Sequence, residues 1–216
     1  MTYSNEALAK LVEPSRVHRS VYIDPEIFKL EMERIWGRSW VYVGHESQVK
    51  EPGEYLTTTI GSEPVVLVRD KENAIHVLYN RCGHKGSKVV AQPCGKSSVF
   101  RCPYHGWTYQ LDGKLLITPH KIAYENTGFD KADPQFSLQK VARVDSHRGF
   151  VFASLAADGP DLREFLQDTI ATIDNMVDRS PQGEVEVAGA CLPYLHDCNW
   201  KMFVENLNDA VHPMVV

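Results

Sequence analysis

Four residues constrain this chain more than any others: Cys82 and His84, then, after seventeen intervening residues, Cys102 and His105. Thiolate and imidazole are metal donors. C-x-H and C-x-x-H are two short Cys/His pairs, each able to chelate a metal centre and each supplying one donor of each kind. The gap between them is long enough for a strand pair that returns the chain to the first loop. Gly83 and Gly106 let the backbone approach a bound group closely, and Pro103 stiffens the second tip. Such a donor set demands a fold with two loop tips side by side.

Two kinds of centre take two cysteines and two histidines. A zinc ion binds Cys₂His₂ tetrahedrally. A Rieske [2Fe–2S] cluster takes two cysteines on one iron and two histidines on the other. A classical zinc finger groups Cys with Cys and His with His, whereas each half here mixes them. The pattern favours the cluster, and leaves zinc or an arrangement of ordinary core residues as alternatives.

The run Cys82-x-His84-x17-Cys102-Pro103-Tyr104-His105-Gly106-Trp107 resembles the Rieske domain of ring-hydroxylating oxygenase alpha subunits. It is less similar to the Rieske proteins of cytochrome bc complexes, which resemble C-T-H-L-G-C and C-P-C-H-G-S. The extra cysteines of that second pattern are Ser87 and Tyr104 here, so no disulfide forms beside the cluster. Its hydrogen-bonding serine is Trp107. Fewer hydrogen bonds to cluster sulfur imply a midpoint toward the low end of the Rieske range of about −150 to +300 mV.

The 216 residues have a net charge of −5 and no long basic run. Nucleic acid and anionic membranes are therefore disfavoured as partners. Met1–Glu6 lacks a basic and apolar leader, and no apolar stretch is long enough to span a bilayer. A cytoplasmic protein is expected. Three further cysteines, Cys94, Cys191 and Cys198, have no motif-like spacing and read as free thiols.

Along the chain, an N-terminal helical segment (1–38) includes a helix capped by Asp24, with Pro25 at its first position, ending at Gly37. Its apolar face can cover its own domain, a later domain or a neighbouring subunit. From 39 to 155 the pattern is of short strands. Candidates are Trp40–Val43, Tyr55–Ile60, Val65–Arg69, Ile75–Tyr79, Val99–Arg101, Thr108–Leu111, Lys114–Ile117, Val141–Val144 and Phe150–Ser154. Asp112-Gly113 is a hairpin turn. The expected class is α+β: an antiparallel all-β sandwich carrying the cluster, then the opening of an α+β catalytic domain from 156 to 216. That last part reads as a helix over Asp161–Val177, a strand over Glu184–Ala188 and a helix over Asn199–Val211. Asp161, Asp168 and Asp174 read as a solvated face.

The last helix carries Asn206, Asp209 and His212 on one face. From spacing alone this is the polar side of a half-buried helix. The segment also resembles the one that opens the mononuclear iron site of the same oxygenases. That resemblance implies that His212 binds a mononuclear Fe(II) within a 2-His-1-carboxylate triad. It makes Asp209 the residue that orients His212 and links the two metal centres by contacting the His105 imidazole across a subunit boundary. Asn206 would stand near the iron. The second histidine and the carboxylate are expected beyond Val216, and the sequence reads as the first part of a longer chain. The other histidines, His18, His45, His76, His120, His147 and His196, read as surface or hydrogen-bonded residues, and Lys85 as an ordinary or partner-steering lysine.

The resemblance implies a terminal oxygenase that uses O₂ to hydroxylate, or cis-dihydroxylate, an aromatic substrate. Electrons would come from NAD(P)H through a flavin reductase, with or without an intervening ferredoxin. A head-to-tail homotrimer is implied, with or without a small beta subunit. The alternatives are a stand-alone Rieske-type electron carrier, which needs only the β domain, and a regulatory iron–sulfur sensor, for which no DNA-binding pattern is visible.

Overall fold

The computed structural model describes residues 3–189, 194–211 and 214. It divides into two units, Trp36–Ala188 and a second made of the chain ends, Met1–Ile35 with Gly189–Val216. The N-terminal part of the second unit runs through helix α1 (Asn5–Ala9), a hairpin of β1 (Val12–Glu13) and β2 (Arg16–Val17), helix α2 (Ser20–Ile23) and helix α3 (Pro25–Glu31). Asp24 caps α3 by accepting from the Glu26 amide, with Pro25 at the first position, as expected. The helix expected to reach Gly37 instead leaves α geometry after Glu31 and continues as a π-helical turn over Met32–Trp36.

In the larger unit, strands β3 (Val41–His45), β4 (Glu54–Ile60), β5 (Glu63–Arg69) and β6 (Ile75–Tyr79) come first. Then follow β7 (Cys94–Lys96), β8 (Phe100–Arg101), β9 (Thr108–Tyr109), β10 (Leu115–Ile117), β11 (Arg143–His147) and β12 (Phe150–Ser154). They form three antiparallel sheets, ordered β6-β5-β4-β7, β11-β12-β3 and β10-β9-β8. The antiparallel β architecture is the expected one. β7 was not expected, because Cys94-Gly95-Lys96 has neither alternation nor strand-forming residues. It forms because β4 offers an open edge, where Tyr55 opposes Gly95.

β5 explains how the unit is held together. Val65, Val66, Leu67 and Val68 are all fully buried. Successive side chains of a strand point to opposite faces, so Val66 and Val68 join one core and Val65 and Leu67 another. The first core backs the small sheet β8–β10 and contains Cys82, Cys102, Trp107 and Tyr109. The second lies against β3 and β12, with Val43, Val151 and Ala153. Each such side chain contributes roughly 1.5–3 kcal/mol of burial. The β9–β10 turn is the expected one: Gly113 has φ +95° and the Asp112 carboxylate accepts from the Lys114 amide at 3.0 Å.

The segment after Ser154 differs from expectation in three ways. Asp161–Val177 is two helices, α4 (Leu162–Leu166) and α5 (Thr169–Val177), broken where Gln167 takes φ +45°. Leu162, Leu166, Ile170, Ile173 and Val177 still form one buried row, packed on Trp40, Phe150 and Phe152. The apolar row needs a cover and finds it on the β strands, so these helices pack within Trp36–Ala188. Glu184–Ala188 forms no strand; Val187 donates its amide to the Ser47 hydroxyl at 3.0 Å instead of joining a ladder. Asp161 and Asp174 are not merely solvated, since Asp161 caps α4 and Asp174 accepts from His147 at 2.8 Å.

The last helix, α6 (Trp200–Asn208), is capped by the Asn199 side chain, which accepts from the Lys201 amide. It stops short of the expected Val211. Within its unit it is tied to the N-terminal helices. Tyr22 donates to Glu205 at 2.7 Å, the Trp200 indole donates to Glu31 at 2.9 Å, and Lys201 forms an ion pair with Glu31.

Candidate metal centre

Two loops of the same build meet at one end of the larger unit. In the first, the Cys82 amide donates to the Ser87 carbonyl at 2.9 Å and the Gly86 amide to the Cys82 carbonyl at 2.9 Å. In the second, the Cys102 amide donates to the Trp107 carbonyl at 2.7 Å and the Gly106 amide to the Cys102 carbonyl at 3.0 Å. Each loop therefore closes on its cysteine through the residues four and five further on. Gly86 and Gly106 both stand in the left-handed region, at φ +71° and +73°, where a side chain is disfavoured. The aligned signal was legible as C-G-H-K-G-S over C-P-Y-H-G-W, with glycine fifth in both. Gly83 has a separate reason to be glycine, because a Cβ there would stand 2.5 Å from the Phe136 carbonyl oxygen.

The loops bring Cys82, His84, Cys102 and His105 together as two pairs. Cys82 and Cys102 are 4% and 2% exposed, and the two thiols are near enough to interact. The His84 and His105 rings meet edge to face at 4.8 Å between centroids. Among the described residues no three His, Cys, Asp or Glu side chains converge on one point for a single ion. A tetrahedral zinc site needs four donors on one point. Separate thiol and imidazole pairs suit a binuclear cluster.

The residues fit such a cluster. His84 Nδ1 is buried and has no hydrogen-bond partner. A buried acceptor without a partner is costly unless something binds it, and a metal does so. Burial lowers the His84 pKa, with His105 and Lys85 adding to the effect, so the ring is neutral and ready to ligate. Burial raises the Cys82 thiol; the Tyr109 hydrogen bond opposes that shift and Cys102 reinforces it. Loading the site therefore releases thiol protons.

Several residues around the pairs escaped the sequence reading. The Tyr109 hydroxyl lies 2.9 Å from Cys82 Sγ and accepts from the Gly83 amide at 3.1 Å. Burial, and then the Cys82 thiol, push its phenol far up, so it stays protonated and is the donor once the sulfur is a thiolate. Trp107, expected only as a replacement for serine, lies flat on His84 at 4.8 Å and 8°. Its indole donates to the Tyr124 hydroxyl at 3.1 Å, and Phe129 and Phe136 meet it edge to face. This nest fixes the His84 ring plane. Outside it, Tyr104 and His105 are exposed beside a cleft of about 740 Å³ lined also by Arg101, His120 and Tyr124.

The second group of expected site residues lies in the other unit. Asn206 is exposed on α6. Asp209 is the C-cap residue of that helix, and its carboxylate accepts from the Val211 amide at 3.0 Å. His212 lies outside the described residues, as does Cys191. Cys94 and Cys198 are exposed free thiols. His76 pairs with Asp70 at 2.6 Å and His45 is buried.

A β architecture with paired thiols and paired imidazoles on twin loops defines a Rieske-type iron–sulfur protein. The family model of the Rieske [2Fe-2S] domain matches residues 39–136. The biphenyl dioxygenase alpha subunit of Paraburkholderia xenovorans is 38% identical over 219 residues, covering 97% of this chain and 47% of the relative. The toluate 1,2-dioxygenase alpha subunit of Pseudomonas putida is 39% identical, covering 93% of this chain and 44% of the relative. Naphthalene 1,2-dioxygenase from Rhodococcus sp. superposes with a TM-score of 0.88 at 33% identity, over 98% of this chain and 49% of that one. A quaternary ammonium Rieske monooxygenase superposes at 0.79 and 27% identity, over 90% of this chain and 52% of that one. The chain belongs to the family of Rieske oxygenase alpha subunits, and spans about half the length of the curated relatives it matches. Among the described residues no helix is long and apolar enough to cross a membrane.

Proposed function

We propose that the full-length protein is the terminal oxygenase component of an aromatic-ring-hydroxylating system. The observation that carries this reading is the pairing of Cys82 with Cys102 and of His84 with His105, with His84 Nδ1 buried and unpartnered, in a chain of this family. The two cysteines hold one iron of the cluster and the two histidines the other. When bound, the cluster supplies one-electron transfer, and a mononuclear Fe(II) supplies O₂ activation. Tyr109 donates to the Cys82 thiolate, and Trp107 holds the His84 ring. The exposed His105 edge and the cleft beside Tyr104 are where electrons enter or leave. His212 holds the mononuclear iron, Asp209 orients it and provides the path between centres, and Asn206 stands close by.

In function the chain divides into an N-terminal segment (1–38), a cluster domain (39–155) and the opening of the catalytic domain (156–216). Its partners are an NAD(P)H-dependent flavin reductase with or without a ferredoxin, an aromatic substrate, O₂ and further copies of itself in a trimer, all in the cytoplasm. The greater identity to biphenyl, toluate and naphthalene dioxygenases than to the quaternary ammonium enzyme favours an aromatic ring as substrate. The test is oxygen uptake by the full-length protein with a flavin reductase, NADH and, in turn, biphenyl, toluate and naphthalene. Substrate-dependent uptake with a hydroxylated product is the expected result. NADH-driven bleaching of the cluster without uptake on any substrate would make the protein an electron carrier.

A further inference from the structure

Glu31 is nearly buried, and its side chain is 9% exposed, yet it carries a carboxylate. It accepts from the Trp200 indole at 2.9 Å and from the Lys201 ammonium, residues more than 160 positions away in sequence at the start of α6. One turn along, Glu205 accepts from Tyr22 at 2.7 Å, and the Lys201 ammonium stands 6.0 Å from the Tyr22 ring centroid. We infer that Glu31 is a positioning residue: with Tyr22 it clamps α6 in the one rotation and register that presents Asn206, and the turn at Asp209 that follows the helix, to the catalytic iron. This rests on the oxygenase reading above.

The argument is geometric. At about 100° per residue, Trp200, Lys201 and Glu205 fall within an arc of about 140°. Asn206 lies about 100° beyond Glu205 and about 120° from Trp200 on the other side. The clamp therefore grips one side of the helix and leaves Asn206 on the other. A slip of one residue would turn α6 by about 100° and move it about 1.5 Å along its axis. Apolar packing resists such a slip weakly, because it is non-directional. Two hydrogen-bonded attachments resist it strongly. A buried ion pair is also a poor device for stability alone, since apolar side chains of similar volume often do as well. Its use here is to choose one arrangement. The N-terminal helices thereby serve a helix encoded at the other end of the chain.

The experiment uses the full-length protein with three variants: Glu31→Gln, Tyr22→Phe and the double variant Glu31→Gln/Lys201→Met. Hydrogen exchange of the α6 amides tests the clamp itself. Product formed per NADH oxidised, with biphenyl, toluate or naphthalene, tests its consequence. Glu31→Gln is expected to speed exchange in α6 about tenfold or more, the loss of one charge-assisted hydrogen bond. It is also expected to cut product per NADH severalfold while cluster absorption and iron content stay unchanged. Tyr22→Phe is expected to act in the same direction, more weakly. The double variant removes both buried charges and keeps an acceptor for Trp200, so it is expected to recover both readouts. Unchanged α6 exchange in Glu31→Gln would overturn the clamp. Faster exchange with undiminished product yield, or no recovery in the double variant, would overturn the positioning role. No oxygen uptake by the wild type on any substrate would overturn the oxygenase reading, and the exchange comparison would still decide the clamp.

Discussion

Tyr109 shows what one hydroxyl contributes at this site. It lies 2.9 Å from the Cys82 sulfur, to which it donates once that sulfur is a thiolate, and a reduced cluster carries more negative charge to be stabilised. A hydrogen bond of about 1.5 kcal/mol to a charged group corresponds to about 60 mV for a one-electron couple. Tyr109→Phe is therefore expected to lower the midpoint by tens of millivolts, read by redox titration. An unchanged midpoint would remove Tyr109 from the list of tuning residues. That Cys82, His84, Cys102 and His105 would come together was legible, because their spacing is local and their chemistry narrow. Tyr109 was not, because a tyrosine in a strand is ordinary, and only the closure of the second loop aims it at the first. Asp70 gives a residue-scale case away from the metal. Burial raises its carboxyl, but hydrogen bonds from His76 and from the Ala74 and Glu72 amides outweigh that and hold it below the ordinary 3.8. Its stabilising effect is complete above that value and is lost as pH falls through the lower folded-state value. Asp70→Asn is expected to flatten the acid limb of a stability–pH curve measured below about pH 4.

At the scale of elements, β5 is the part whose loss matters most. Leu67 is fully buried, and its Cδ2 would stand 2.8 Å from a Cβ placed on Gly44 of β3. Leu67→Ala is expected to cost about 2–5 kcal/mol, seen as a lower urea midpoint with an unchanged slope. A loss well under 1 kcal/mol would mean that the second core collapses around the gap. The long, apolar strands were legible, because β-branched runs between turn residues leave few alternatives. Gln167 and the Glu184–Ala188 stretch were not. The apolar row from Leu162 to Val177 has the spacing of one helix, and nothing in it marks the left-handed residue between its halves. Glu184–Ala188 alternates like a strand but finds a serine hydroxyl rather than a sheet edge.

At the scale of the whole molecule, the cluster residues and everything that orients them lie within Trp36–Ala188. A chain cut to residues 36–188 is therefore expected to fold and to bind the cluster, with visible absorption like that of the longer protein. A colourless, unfolded product would show that the chain ends are needed for the β unit to form. The expected boundary near 155 came from a change in composition, which marks where strands stop and helices begin. It does not mark where packing ends, because α4 and α5 cover Trp40, Phe150 and Phe152. The twin loops have a consequence for the protein's lifetime. Each gives one thiol and one imidazole, so the bound group is a cross-link between segments twenty residues apart in sequence. Iron starvation then acts on this chain as reduction acts on a secreted domain held by a disulfide. The iron-free form is therefore expected to be cleaved faster by protease than the loaded one.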